Sequence, residues 1–215
     1  MFVSSMTFEE IRQEMDKEKG SLVNKIKTHI IQIHKLMRKY NMHTLDKEYE
    51  YISKRKNRWV YRVHNDKSNK DYIWYDLYCL YYTQRSYAVV IYNVEENTVN
   101  YYTSHFFTRY FQREGLDRED VKEIIRTFFS RSAKGAYQPL KQVSDDVWQI
   151  FNQTENGVAL GYRHDKLNLF EYRTFINNSM LKGSQIEMSK QLAEKFNFHV
   201  VRKTPGEGDT QSLSG

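Results

Sequence analysis

The first forty residues repeat apolar positions at steps of three and four, which is the spacing of one face of a helix. Thr7 and Glu10 match the Thr-x-x-Glu pattern of a capping box, and Lys-Gly-Ser at 19–21 predicts a break between two helices, with Ser21 capping the second and Asn41 ending it. Residues 1–45 therefore form a predicted helical arm. This arm either packs on the rest of the chain or uses residues 7–40 to bind a protein partner or a second copy.

Beyond the arm, the helical period gives way to alternation and short apolar runs, which are typical of strands. Residues 44–57 are charged and are interpreted as a connection. Four strands are predicted at 57–65, 71–83, 87–94 and 98–103. Their short loops predict an antiparallel meander. Tyrosines on both sides of the second strand favour a sheet that is packed on both faces over a surface that stacks on bases.

The second half of the chain mixes both patterns. One helix is predicted from Thr103 or Ser104 to Gly115, and a second helix begins after Asp117. Residues 132–144 are interpreted as a loop. Three strands and a helix are predicted at 147–153, 157–163, 167–176 and 184–196, and 199–201 is compatible with a short strand.

These elements predict an α+β fold with three parts: the helical arm (1–45), an α+β domain (46–202) and a polar tail (203–215) that we expect to be disordered. The α+β domain contains antiparallel meander strands, two central helices, a second three-stranded meander and a C-terminal helix. The sequence leaves open whether the two meanders belong to one sheet.

Composition favours an acidic partner. The chain carries 33 Lys and Arg against 27 Asp and Glu, a net charge of +6, which is compatible with nucleic acid. Cys79 is the only cysteine and lies in an apolar run, so we predict a buried thiol in a reducing compartment. Acidic residues interrupt any N-terminal signal peptide, and no apolar stretch approaches the roughly 20 residues that cross a bilayer. We therefore predict a soluble cytoplasmic protein of bacterial or phage type without membrane association.

The usual catalytic motifs are missing from the sequence. It has no Gly-rich phosphate loop, no H-E-x-x-H, no clustered C-x-x-C and no G-x-S-x-G. The histidines of the arm region lack acidic or cysteine partners at ligand spacing. We therefore expect neither a cofactor nor a bound metal.

One stretch, YYTSHFFTRYFQR at 101–113, carries candidate chemistry. On a helix, His105, Arg109 and Arg113 fall four residues apart and share a stripe opposite an aromatic face. Imidazole can accept or donate a proton near neutral pH, and guanidinium groups bind phosphate oxygens. The stripe is thus compatible with metal-independent RNA cleavage, in which a base deprotonates the ribose 2′-hydroxyl. An ordinary solvated helix face and nucleic-acid binding without catalysis remain alternatives.

Two further basic residues are candidates for nucleic-acid binding, Arg163 and Arg173. Strict alternation puts Arg173 and Thr174 on opposite faces of the 167–176 strand unless a bulge intervenes. A pair between Arg173 and Glu171 on the same face is the simpler interpretation of Arg173.

The motif T-x-H-x3-R-x3-R, followed by Gly-Leu-Asp, a second helix and strands that end in one containing Thr, resembles small prophage and toxin-associated proteins of the barnase–EndoU–colicin–RelE-like ribonuclease group. The resemblance covers about residues 100–180. It implies a metal-independent endoribonuclease whose catalytic residues are His105, Arg109, Arg113 and Thr174. The arm and the first meander lie outside the minimal nuclease of that group.

Overall fold

The protein contains four α-helices and one mixed sheet of nine strands in the residues that the computed structural model describes, which are 1–66, 73–84, 86–116, 120–131 and 135–196. This confirms the predicted α+β class with an N-terminal and a C-terminal helix. The helices are α1 (Phe8–Lys39), α2 (Ser104–Glu114), α3 (Val121–Arg131) and α4 (Ser184–Lys195). The strands are β1 (Thr44–Ile52), β2 (Arg58–Asp66), β3 (Ile73–Tyr82), β4 (Tyr87–Asn93), β5 (Thr98–Tyr102), β6 (Gly135–Ser144), β7 (Val147–Thr154), β8 (Gly157–His164) and β9 (Leu169–Asn177).

The two meanders are halves of a single sheet, in the order β1-β2-β3-β4-β5-β9-β8-β7-β6. Neighbouring strands are antiparallel within each half. The halves meet where β5 and β9 run parallel, from Val99 opposite Leu169 to Tyr102 opposite Tyr172. The sequence left this join open, because the long crossover between β5 and β9 gives no local signal.

Helices cover both faces of the sheet. The apolar stripe of α1 packs on one face against residues such as Trp59, Tyr61 and Cys79, while α2 and α3 pack on the other face around Phe106 and Phe128. Successive side chains of β7 point to opposite faces, and Phe151 packs with α4 while Ile150 packs with α2 and α3. α4 therefore lies on the α1 side. Cys79 is buried as predicted, and burial raises the pKa of its thiol.

The predicted break in the arm is wrong, because α1 is one helix of 32 residues that passes through Gly20. A glycine within a helix costs only about 1 kcal/mol, and buried Met15 and Leu22 hold α1 on the sheet on both sides of it. Ser21 does not cap a helix, because it lies inside α1. Its hydroxyl lies instead 3.0 Å from that of Tyr51 on β1. The capping box of Thr7 and Glu10 is present as predicted.

Two segments interpreted as loop or connection contain strands instead. β1 and β6 are the outermost strands of the sheet, so they are largely exposed and lack the apolar alternation of inner strands. The charges of β1 pair across to β2, as in Arg58 with Glu50 at 2.7 Å. β6 carries Pro139 beside a bulge, which an edge strand tolerates. The second meander therefore has four strands and not three.

Some predictions lie outside the described residues: the turn at 67–70, the Asp117 cap, the short strand at 199–201 and the tail. The start of α3 is described from Asp120, whose carboxylate accepts a hydrogen bond from the Lys122 amide at 2.9 Å. Asp120 thus satisfies one of the free amides at the beginning of α3.

A buried polar network joins α1 to the β1–β2 connection. Glu14 is 4% exposed and accepts hydrogen bonds from Arg55 Nη2 at 2.6 Å and Asn57 Nδ2 at 3.0 Å. The same Asn57 amide donates to Glu18 at 2.7 Å, and Ser53 Oγ donates to Glu18 at 2.6 Å. The Arg55 guanidinium holds the pKa of Glu14 down at about 2, against the effect of burial.

Candidate functional site

Helix α2 begins directly after β5, and a local capping residue sets its first turn. The Thr103 side chain accepts a hydrogen bond from the Phe106 amide, and Gly115 ends the helix in the left-handed conformation at φ 60°. Both caps agree with the sequence. Phe106, Phe107 and Tyr110 are fully buried against α3 and the sheet. The aromatic face thus fixes the helix, which leaves the His105 stripe on another side.

The position of α2 follows from the shortness of β5, which pairs with β9 only as far as Tyr172. The Thr103 amide donates to the Tyr172 carbonyl at 3.1 Å, so α2 starts where the strand pairing stops. Arg113, near the other end of α2, donates to the Phe175 carbonyl and, at 3.4 Å, to Thr174 Oγ1. The helix therefore runs along the part of β9 that β5 leaves unpaired.

All four catalytic residues named from the sequence lie in this region, which we call the α2–β9 line: His105, Arg109, Arg113 and Thr174. Arg109 Nε donates to His105 Nε2 at 3.3 Å, and Arg109 Nη1 donates to Gln112 at 3.2 Å. His105 is exposed, whereas Arg109 and Arg113 are partly buried. Two direct contacts, His105–Arg109 and Arg113–Thr174, therefore connect the four residues in two pairs.

The two arginines differ in their partners. Arg113 is held by the edge of β9, and burial, followed by the charge of Arg109, lowers its pKa. Among the described residues, Arg109 donates to two residues of its own helix, His105 and Gln112. In the contact from Arg109 Nε, the His105 Nε2 atom acts as the acceptor.

Arg173 sits at a β-bulge. Leu160 pairs with Thr174 and Gly161 with Tyr172, so Arg173 has no residue opposite it. A Cβ at Gly161 would lie 1.7 Å from the Glu171 carbonyl oxygen, so this close approach requires glycine. The strict alternation assumed for β9 is therefore wrong beyond Arg173, and Phe175 packs on the face of Phe170 and Tyr172.

Arg173 makes the pair with Glu171 that the sequence favoured. Its Nε lies 2.7 Å from Glu171 Oε1, and its guanidinium lies 4.5 Å from the centre of the Tyr162 ring. Its side chain is 55% exposed. Through Glu171 and His164, which packs on Phe8 of α1, Arg173 belongs to the face of the sheet that α1 covers, whereas α2 lies on the opposite face. No described side-chain contact joins Arg173 to His105, Arg109 or Arg113.

Arg163 lies elsewhere. It pairs across to Phe170, four residues before Thr174 on β9, which is about 13 Å along the strand. Its guanidinium stacks 5.8 Å from the ring centres of Tyr137 and Phe170, donates to the Tyr137 hydroxyl at 2.9 Å and approaches Asp165 to 2.7 Å. These contacts anchor β6 to β8, so the structure does not bring Arg163 to the other candidate residues.

A buried carboxylate near Arg173 was not predicted from the sequence. Glu171 is 4% exposed, and its Oε2 lies 3.8 Å from His164 Nε2. Phe8 of α1 packs against His164, with ring centres 4.8 Å apart. Burial works to raise the pKa of Glu171, but His164 and Arg173 outweigh it, and the pKa is lowered. A charged residue inside the apolar run Leu169–Tyr172 was the available signal, because a buried charge needs partners.

No family model matches the chain, and no curated protein or solved structure matches it significantly. Within the described ranges, no helix combines the length and apolar character needed to cross a bilayer. The same ranges contain no group of three or more His, Cys, Asp or Glu side chains arranged to hold a metal ion. The geometry of the α2–β9 line is therefore the main indication of function.

Proposed function

We propose that this chain binds RNA or another nucleic acid through the α2–β9 line. The observation that carries the proposal is the row of Arg109 and Arg113 on one side of α2, with His105 at its start. Phosphate contacts from such side chains supply most of the sequence-independent affinity of nucleic-acid-binding proteins.

Arg109 has the capacity to bind phosphate. Its contacts to His105 and Gln112 use Nε and one donor of Nη1, whereas a guanidinium has five N–H donors. The remaining donors form the fork that holds two phosphate oxygens at once.

The two neighbouring cations also favour an anion electrostatically. Arg109 and Arg113 are one turn apart, and the charge of Arg109 contributes to the lowered pKa of Arg113. Like charges at this spacing repel each other. A phosphate placed against both guanidiniums would relieve this repulsion. An arginine that already pairs with a carboxylate would gain less from a phosphate.

The test is fluorescence anisotropy with a labelled single-stranded RNA over a range of salt concentrations. Arg109→Gln should weaken binding and lower the slope of log K against log salt by about one. Arg38→Gln is the matched control, because it removes the same charge from an exposed arginine of α1 outside the α2–β9 line. Equal effects of the two substitutions would show that affinity depends only on net charge, which would contradict the proposal. Binding that does not change with salt concentration would contradict it as well.

Cleavage of the bound RNA is a second candidate function, favoured by the contact in which His105 Nε2 acts as an acceptor. As general base, this nitrogen would exchange the Arg109 contact for the ribose 2′-hydroxyl and take its proton. The 2′-oxygen would attack phosphorus, the 5′-oxygen would leave with a proton from solvent, and Arg109 would stabilise the added charge.

Cleavage is tested by incubating a defined RNA with the protein in the presence of a metal chelator and analysing the ends. A 2′,3′-cyclic phosphate product that His105→Ala abolishes while RNA binding persists would support this chemistry. Intact RNA with the wild-type protein, under conditions in which binding is measured, would leave binding as the function.

A further inference from the structure

A cavity of about 410 Å³ lies between α2, the beginning of α3 and the turn before β4. Its apolar walls are Phe107 and Phe111 of α2, and Val121 and Ile124 of α3. Three hydroxyl residues complete the lining: Ser86, Ser104 and Thr108. Its volume falls within the range of small-molecule sites, about 300–1,000 Å³.

The α2 wall consists of two adjacent stripes. Phe107 and Phe111 are one turn apart and present aromatic surface, while Ser104 and Thr108 are one turn apart and present hydroxyl groups. Thr108 Oγ1 donates to the Ser104 carbonyl at 3.2 Å, which leaves the lone pairs of this hydroxyl as acceptors. The cavity thus has an apolar body with a row of hydrogen-bonding groups along one side.

Contacts also tie the other described walls to the fold. The Ser86 backbone is held by Thr83, whose Oγ1 donates to the Ser86 carbonyl at 2.6 Å. The Lys122 ammonium lies 5.5 Å from the centre of the Tyr87 ring, which links the first turn of α3 to β4. A preformed cavity binds ligands without the cost of ordering its walls.

From this lining we infer a binding site for an uncharged amphipathic small molecule with an aromatic body and one hydrogen-bond donor. None of the seven lining residues that the structure describes is charged, and among them a charged ligand would lose its hydration without gaining a counter-ion. The site is separate from the α2–β9 line and stands independently of the proposed nucleic-acid function, since it uses different side chains of α2.

The experiment compares two dyes with one skeleton. N-phenyl-1-naphthylamine is uncharged and carries one N–H donor, and 1-anilinonaphthalene-8-sulfonate adds a sulfonate. We expect the uncharged dye to bind the full chain saturably at one equivalent and at least tenfold more tightly than the sulfonate. No saturable binding, or tighter binding of the sulfonate, would overturn the inference.

Location is tested by filling the cavity. Thr108→Trp, at an exposed position on the rim, should weaken binding of the uncharged dye at least tenfold, while Ser130→Trp on the exposed side of α3 should not. Val121→Phe is a second filling variant from the opposite wall, and circular dichroism verifies the fold of each. Undiminished binding by both correctly folded filling variants would place the dye elsewhere and overturn the inference.

The polar contact is tested by Thr108→Val, which replaces the hydroxyl by a methyl group of similar shape. Loss of one hydrogen bond should weaken 1-naphthol about fivefold and leave 1-methylnaphthalene unchanged. An equal change for both compounds would contradict a role of the hydroxyl row.

Discussion

The network around Glu14 and the α2–β9 line are both clusters of charged side chains, but they use their charges differently. In the first, Glu14 is almost fully buried and receives donors from Arg55, Asn57 and the Met1 amine at 2.5 Å. In the second, His105 is exposed, and the described hydrogen bonds of Arg109 stay within α2. A charge that is enclosed and fully partnered serves the fold, whereas one that keeps donors toward solvent can serve a ligand.

The largest effect should come from the buried cluster. Glu14→Ala removes the carboxylate and leaves the Asn57 amide with one fewer acceptor and Arg55 without its partner. We expect the free energy of unfolding to fall by about 3 kcal/mol in urea titration. Lys27→Ala, on the exposed side of the same helix, is the control and should change it by less than about 0.5 kcal/mol. A loss below about 1 kcal/mol for Glu14→Ala would show that this enclosed cluster does not stabilise the fold.

Acid should remove the same contribution. The pKa of Glu14 is lowered to about 2 in the folded state, below the value near 4.3 of an unfolded chain. The stabilisation is therefore fully present above about pH 4.3 and is lost as the pH falls toward 2. Urea titrations at several pH values should show the stability difference between wild type and Glu14→Gln shrinking through this range. A difference that is constant with pH would show that the ionised form of Glu14 is not what stabilises the fold.

Arg113 is intermediate, because it belongs to the α2–β9 line but is anchored to β9. Arg113→Ala removes the donors to the Phe175 carbonyl and to Thr174, and we expect a loss of about 1.5 kcal/mol. Arg113→Lys keeps the charge but not the planar fork, so it should restore less than half of the loss. Full rescue by lysine would indicate that Arg113 acts only through its charge.

The smallest effects on stability are expected at His105 and Arg109. Each contributes a solvent-side contact on α2, so alanine at either position should change the free energy of unfolding by less than about 0.5 kcal/mol. The same proteins serve in the RNA assays. A large loss of stability on substitution of Arg109 would show that its contacts stabilise the fold, as those of Glu14 do, and are not kept for a ligand.

Features with local causes could be predicted from the sequence. Thr103 and Gly115 set the ends of α2 within a few residues, so both caps agreed with the structure. The stripe of His105, Arg109 and Arg113 likewise follows from the helical repeat alone. The Arg173–Glu171 pair was also accessible, because two oppositely charged residues two apart on a strand share a face.

Features that depend on distant contacts were not predictable in the same way. Gly20 signals a helix break locally, but the burial of Met15 and Leu22 overrides it. β1 and β6 lack an apolar pattern because they lie at the edges of the sheet. The bulge at Arg173 is visible in the sequence. The buried aromatic residues are two apart at Phe170 and Tyr172 but three apart at Tyr172 and Phe175.

The short parallel join between β5 and β9 has a consequence for folding. Every other pair of neighbouring strands is joined by a short connection, whereas residues of β5 find their partners about seventy positions later in the chain. Closing so long a loop is entropically slow compared with forming hairpins. The two halves of the sheet are thus expected to form early as separate units, and α2, which follows β5 and rests on β9, completes its environment only when they meet.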